Sequence, residues 1–574
     1  MSLCEREPSA RRRRLFFSLW LFLAAGLSVP LHGQMDMSGH VMSVQNQVDP
    51  AQLPPPRKMT GIGNLHLAIS STKPEAQTWL DQGLNLLHDY WDYESSRAFE
   101  QSVRIDPDCA ICYWGLYEAL SFYHGNEMGY APAALARAGE LKDRANDRER
   151  RYIEATVAAQ TDRKKAGELW RAVVKDYPDD VEARLYLAQF GGNNLETLES
   201  ILKDDPNNSA ANHQYIHALE AGDHPERALH SAEILGSLAP NAGHMVHMPG
   251  HIFFRLGDYA KAEKSFADST AVDEKYMAEQ RVEPDDDWNY VHNLMYAIAN
   301  LMEEGKLKQA RELSAKIDRA HGKLPSSTYS AGSRDSISRL HPQLPVALRL
   351  GDWAQVNSLL AATAPPAALP NLVFLANEMN LFADGMIAAE SNNAARDAAK
   401  AEAAWQQLDA GIAAEKQAPH PNPNVPFRQL QVTPDAYLSP LLGMLNVMSL
   451  ELHASVLVAQ NQLTAAHDMF AQAEAAERAL GYREPPNYIR PVAETEGTAM
   501  LAIGDWTDAR AAWERDLAIR PRSGFALYGI ALSDERAGKS EAAAKDYREF
   551  LTAWKDADPD LPQIVHARET QDRR

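Results

Sequence analysis

The chain is predicted to be an all-α solenoid of stacked helical hairpins. Three observations lead there. Runs rich in Ala, Leu, Glu, Gln and Arg, all good helix formers, recur along most of the 574 residues. Alternating strand patterns are hard to find. Equivalent small, aromatic and proline positions repeat with a step of 34 residues: Pro206 to Pro240, Ala228 to Ala262, Gly504 to Gly538. A hydrophobic content of 45% with 24% charged residues is that of a folded protein. The length exceeds one compact core and fits an extended array or several domains.

Residues 1–33 place a basic cluster, Arg11 to Arg14, before an apolar run from Leu15 to about Val29, then Pro30 and Gly33. This is the layout of a secretory signal peptide. The alternative is a retained membrane anchor, for which the run is short. Arg12-Arg13 before Leu15-Phe16 loosely resembles a twin-arginine signal, but the strongly apolar run favours the general secretory route. The expected location is periplasmic or secreted, with no stable membrane anchor after cleavage. No later stretch reads as a second spanning segment. The formal net charge is −21; residues 1–33 carry five Arg and two Glu, so the remainder carries −24. Such a surface repels phosphate backbones and anionic lipid, which excludes a nucleic-acid partner.

Residues 34–62 are Met-, Gln- and Pro-rich and read as a mobile linker. Met35, Met37, His40 and Met42 lie close together there. Thioether plus imidazole suits copper; a featureless tail is the plainer reading. Of three cysteines, Cys4 belongs to the signal. Cys109 and Cys112 remain, as a local disulfide or a pair of buried thiols. A redox motif or half a metal site is the alternative, though no second CxxC and no following His accompany them.

The repeats follow. "EAQTWLDQGLNLLHDYWDYESSRAFEQSVRIDP" places Trp79, Gly83, Phe99 and Pro107 at tetratricopeptide (TPR) spacing. "GHIFFRLGDYAKAEKSFADS" repeats it with Gly250, Gly257, Tyr259, Ala262 and Phe266. "GTAMLAIGDWTDARAAWERDLAIRP" does so with Gly497, Gly504, Trp506, Ala509, Trp513 and Pro521, and Gly538, Ala543 and Tyr547 extend it. The chain therefore resembles the TPR family, which implies helix–turn–helix units wound as a right-handed superhelix with a concave, ligand-binding inner surface. Residues 63–300 also resemble exported bacterial TPR proteins, through "DPDCAICYWGLYEAL", "HQYIHALEAGDHPERALHSAEILGSLAP" and "HMPGHIF". That resemblance implies fold and export but no reaction. Residues 63–417 are expected to form an N-terminal TPR-like array, and 441–574 C-terminal repeats. The Pro-rich stretch 418–440 either separates them or lies over the groove.

Eight of the 19 histidines fall between His213 and His292. His213 and His247 are 34 residues apart, as are His217 and His251. The two HxxxH pairs thus hold equivalent places in consecutive repeats. On the TPR register they sit at positions five and nine of the first helix, with Glu220 at position twelve and His244 and His292 at position two of their units. Spacings of 3, 4 and 3 share one helical face, and the resemblance turns that face into the concave surface. Neighbouring helices about 8–10 Å apart let side chains from both meet. His213, His217, Glu220, His247 and His251 are the candidate metal ligands, with His244 and His292 beside them in the groove.

Imidazole suits zinc, copper or iron, and an i, i+4 pair can grip one ion. Such a set could hold one ion with an open position, or two. The residues between the paired histidines, Gln-Tyr-Ile and Met-Pro-Gly, lack the general-base Glu of HExxH proteases. Without metal, the same patch could bind a peptide or carboxylate, or play a structural part. Pro249 either kinks the second helix beside His247 and His251 or begins it; in the latter case His244 and His247 lie in a loop. His224 and His230 read as surface residues. "EPDDDWNY" reads as helix capping rather than calcium binding. Trp91, Trp114, Trp170 and Trp288 read as packing. The expected function is an exported scaffold for a protein or peptide, with a metalloprotein, catalytic or not, as the alternative.

Overall fold

The computed structural model describes residues 49–124, 130–190, 194–284, 287–320, 336–391, 393–418, 435–436, 438–486 and 488–572. Residues 1–48 and 419–434 lie outside it, and with them the expected signal peptide, the Met/His cluster and most of the 418–440 stretch.

Among the described residues the regular structure is helical, with no strand. The order is α1 (Pro74–His88), α2 (Asp92–Ile105), α3 (Ala110–His124), α4 (Tyr130–Leu141), α5 (Asp147–Ala159), α6 (Arg163–Asp176), α7 (Val181–Phe190) and α8 (Leu195–Asp204). Then come α9 (Ser209–Glu220), α10 (Leu229–Leu238), α11 (Gly243–His247), α12 (Pro249–Arg255), α13 (Tyr259–Gln280), α14 (Trp288–Glu303) and α15 (Leu307–Ile317). The rest are α16 (Ser336–Leu340), α17 (Leu344–Leu350), α18 (Trp353–Ala362), α19 (Pro370–Ala389), α20 (Ala394–Gln417), α21 (Leu438–Ala459) and α22 (Leu463–Ala479). Helices α23 (Val492–Ile503), α24 (Trp506–Ile519), α25 (Gly524–Arg536), α26 (Ser540–Ala553) and α27 (Pro562–Asp572) complete the chain. Sequential helices pack as hairpins, among them α1 on α2, α3 on α4, α5 on α6, α23 on α24 and α25 on α26. This is a TPR-type solenoid.

The repeat residues explain the pairing. A β-carbon at Gly83 would stand 2.9 Å from the Phe99 ring; at Gly250 it would stand 2.4 Å from Phe266, and at Gly497 2.5 Å from Trp513. Each glycine lets the aromatic of the second helix lie against the backbone of the first. Seven residues later the chain turns in the left-handed region, at Gly257 (φ +72°) and Gly504 (φ +85°), where glycine costs least. In the first repeat the same place is held by Tyr90, at φ +59°.

Two expectations are corrected. The linker 34–62 was expected to be mobile throughout. From residue 49 it is instead laid along α1 and α2: Arg97 donates to the carbonyls of Pro54 and Pro55, and Gln82 and Asn85 bond the backbone of Arg57, Met59 and Leu65. Arg97 and Gln82 side chains supply the pairing that an extended strand would otherwise lack. Second, α19 and α21 are long and apolar enough to cross a membrane, with mean hydropathy 1.2 and 1.6, although the sequence reading found no such segment. Both pack into the core of residues 337–509, which buries 56% and 72% of their apolar windows. The C-terminal repeats pack against the N-terminal array. The Trp554 indole donates to the Glu303 carbonyl (2.7 Å), and the Asp558 amide to Gly305 (3.0 Å). Arg349, 1% exposed, bonds Glu303 (3.0 Å) and Glu494 (2.6 Å), and Arg520 joins Glu303 (2.8 Å). The arginines hold Glu303 ionised, below the usual carboxylate range despite its burial.

Candidate metal centre

Four helices and one strap build the centre. Helix α9 carries His213, His217 and Glu220; α11 carries His244 and His247; α12 carries His251; α14 carries His292. Met248 keeps helical dihedrals (φ −56°, ψ −35°) between α11 and α12, and its amide donates to the His244 carbonyl. The loss of the Pro249 amide breaks the hydrogen-bond ladder without ending the helical path. His244, His247 and His251 therefore remain on helical turns, and the loop alternative falls away. The segment between α22 and α23 brings Glu484 against the same cluster: its carboxylate is 3.7 Å from both His251 Nδ1 and His292 Nε2.

The expected concave patch is not an open surface. His213, His247 and His251 have no exposed area, and His217, His244 and His292 retain 3% each; Glu220 retains 2%. The C-terminal strap and the Tyr90 ring cover them. That ring lies 4.8, 5.3 and 5.7 Å from the rings of His213, His217 and His244. A tyrosine at a left-handed turn position costs about 1 kcal/mol or more relative to glycine. Strain of this kind concentrates at functional sites.

The structure brings all seven sequence-derived residues together. The six histidines fall into two sets of three, His213/His217/His244 and His247/His251/His292, with ligand atoms in each set within 4.8 Å of one another. The pairs match across the repeat: His213 and His217 ring centroids are 4.7 Å apart, His247 and His251 4.6 Å. Glu220 lies between the sets, with one oxygen 2.6 Å from His217 Nδ1 and the other 2.5 Å from His251 Nδ1. A third grouping, His217, Glu220 and Glu484, approaches His217 from its Nδ1 side.

The outer hydrogen bonds fix where protons reside. His213 Nδ1 faces the His88 carbonyl at 2.6 Å, so it must donate. His247 Nδ1 faces Asn293 Oδ1 at 2.8 Å; the Asn293 amide nitrogen is spent on the Phe266 carbonyl and Thr270, so its oxygen accepts. His244 Nδ1 faces Asn289 Oδ1 at 3.2 Å, and Asn289 likewise donates to Asp273. These three imidazoles then turn bare Nε2 lone pairs inward. That of His244 has no hydrogen-bond partner.

Inside, His213 and His217 face each other Nε2 to Nε2 at 3.0 Å, and His247 and His251 at 2.6 Å. Each contact needs a proton or a cation between two lone pairs. A protonated Glu220 could pass one proton through His217 or through His251, but not both. Protonating the rings is costly: burial drives His217 and His247 down to about 3, and burial with neighbouring imidazoles lowers His213, His244 and His251. Burial raises Glu220 to about 8, and burial beside Glu220 raises Glu484. A metal ion resolves the deficit, since coordination takes neutral imidazole lone pairs. Bonds of about 2.0 Å to one ion separate two nitrogens by about 3.4 Å, so each pair opens by less than 1 Å to admit it.

Sequence reasoning missed Glu484, Tyr90, His88, Asn289 and Asn293. Tyr90 had a signal: it stands seven residues after Gly83, where Gly257 and Gly504 stand in their repeats. Asn289 and Asn293 had one too, at i and i+4 around His292. Glu484 had none. Cys109 and Cys112 are joined, S–S 2.00 Å, at the start of α3. His224 is exposed, as expected, and pairs with Glu226.

No family model matches this chain, and no curated protein does. Among solved structures it is similar to yeast Tom70 (15% identity, TM-score 0.31, covering 88% of this chain and 97% of that one). It is also similar to the APC/C hetero-tetramer Cut9–Hcn1 (14%, TM-score 0.23, 76% and 98%). A third is Naa15/Naa10 bound to HypK-THB (13%, TM-score 0.18, 88% and 86%). These scores are low, and the assignment to the TPR-type fold rests on the chain's own hairpins.

Proposed function

We propose that the protein is an exported metalloprotein, a TPR-type scaffold whose His/Glu cluster binds a first-row transition metal. The observation that carries this is the inward convergence of imidazole lone pairs whose outer nitrogens are already committed as donors. Second-side partners of this kind, a carbonyl, two asparagines and a carboxylate, are how proteins orient metal-binding histidines. Imidazole ligation fits zinc, copper or iron. The basic and apolar N-terminal segment and the Cys109–Cys112 disulfide support export into an oxidising compartment.

A protein or peptide scaffold is the second reading, favoured by the repeat architecture itself. Its partner would use a surface other than the histidine face, which is buried. A cavity of about 120 Å³, lined by Phe254, Met295, Met302, Pro485 and Pro486 and by Glu303, Arg349 and Arg520, adjoins the strap that carries Glu484.

The test is thermal unfolding of chelator-stripped protein with zinc, copper or iron added singly. An ion bound only by the folded state stabilises it by about 4 kcal/mol at a thousandfold excess over Kd. A rise in Tm with at least one ion, abolished in His247→Ala, is expected. No rise with any of the three would refute the metalloprotein reading.

A further inference from the structure

We propose that the cluster is a pair of sites for two cuprous ions, one held by His213, His217 and His244, the other by His247, His251 and His292. This rests on the metalloprotein reading and goes beyond it in nuclearity and metal.

Two ions follow from the geometry. Each HxxxH pair closes on itself, Nε2 to Nε2, rather than on its counterpart in the other repeat. A third histidine completes each set: His244 stands 5.1 Å from His213, and His292 4.7 Å from His247, between ring centroids. Glu220 is the divider. Its two oxygens hold the Nδ1 atoms of His217 and His251, one from each set, and so turn both Nε2 atoms into their own triads. It thereby acts as an outer partner of both sites rather than as the ligand expected from sequence. The third grouping would need His217 to bind through Nδ1, at the expense of its bond to Glu220. The two triads are also neighbours: His244 stacks on His247 at 5.8 Å and lies 6.2 Å from His292. Two ions held there are close enough to act on one small molecule.

The cuprous state follows from donor number and charge. Each triad supplies three neutral nitrogens. Zinc in proteins completes four ligands, with a water as the fourth where three histidines hold it, whereas a closed-shell monovalent copper ion is satisfied by three alone. Divalent ions placed this close repel one another strongly in a buried setting. Two carboxyl groups, Glu220 and Glu484, face the cluster, and Arg255 donates to the Glu220 carbonyl and lies beside it.

The experiment is an anaerobic titration of the stripped, untagged full chain with cuprous copper against a coloured cuprous chelator. Two equivalents per chain are expected. His213→Gln/His217→Gln and His247→Gln/His251→Gln should each retain one, with helical circular dichroism checked for both. X-ray absorption of the copper-loaded wild-type chain, which needs no variant, should show three nitrogen neighbours per copper. One equivalent, lost in either double variant, would overturn the paired sites while leaving a metal centre. Tight zinc with no cuprous binding would overturn the metal. No binding of cuprous copper, zinc or iron would overturn the proposed function as well.

Discussion

Asn293 makes the sharpest test of how the histidines are oriented. It touches no metal position. Its oxygen accepts from His247 Nδ1 at 2.8 Å, while its nitrogen donates to the Phe266 carbonyl (2.9 Å) and Thr270 (2.8 Å). Asn293→Ala frees the His247 ring to rotate or to move its proton to Nε2, which removes a ligand lone pair. Loss of such an outer partner weakens metal binding by about 10–100-fold, or roughly 1.4–2.7 kcal/mol. The same change removes two buried hydrogen bonds, to the Phe266 carbonyl, which keeps its bond from the Thr270 hydroxyl, and to Thr270, and costs about 1–2 kcal/mol of stability. Asn293→Asp keeps the acceptor and loses the donors, so it should keep affinity while losing stability. Chelator competition reads the first quantity and thermal unfolding the second. Affinity within twofold of wild type in folded Asn293→Ala would refute the orientation argument. Equal loss of affinity in Ala and Asp variants would mean that Asn293 acts through packing alone.

Three further outcomes are expected. Tyr90→Gly should relieve the left-handed turn yet uncover the first triad, so metal should leave to a chelator faster, by tenfold or so, with no fall in Tm beyond the lost ring packing; unchanged release would dismiss Tyr90 as a cover. Arg349→Ala strands Glu494 in the interior and leaves Glu303 with Arg520 alone, and should cost about 3 kcal/mol, with proteolysis releasing the C-terminal repeats first; a cost under about 1 kcal/mol would show that the network does not join them. Burial raises Glu451 from 4.5 to about 7. The folded chain therefore keeps a proton that the unfolded chain loses, so its contribution is complete below about pH 4.5 and is lost as pH rises to about 7, by at most about 3 kcal/mol. Glu451→Gln should flatten that part of the stability–pH curve, and an unchanged slope would contradict the assignment.

The fold was legible because the residues that make each hairpin are close in sequence. Gly83 with Phe99, Gly250 with Phe266 and Gly497 with Trp513 are pairs sixteen residues apart, and their contact defines the unit wherever it occurs. The histidine register was legible for the same reason, since one repeat length maps His213 onto His247. Burial was not. Whether an inner helical face meets solvent depends on what arrives from elsewhere, and Glu484 arrives from 264 positions beyond Glu220 with no local pattern to announce it. The packing of residues 49–62 was hidden because it uses backbone atoms of the segment and side chains of α1 and α2, neither of which leaves a periodic trace. Helices α19 and α21 were overlooked because scattered polar residues such as Asn380 and Glu451 interrupt their apolar runs.

The central claim is that this cluster holds metal, and elemental analysis tests it most directly. The sample is the chain purified without a histidine tag and without added metal, beside His213→Ala/His247→Ala prepared in the same way. Near-stoichiometric copper, zinc or iron in the first and its loss from a folded second are the expected results. A wild-type chain free of all three, which takes up none on reconstitution, would contradict the account.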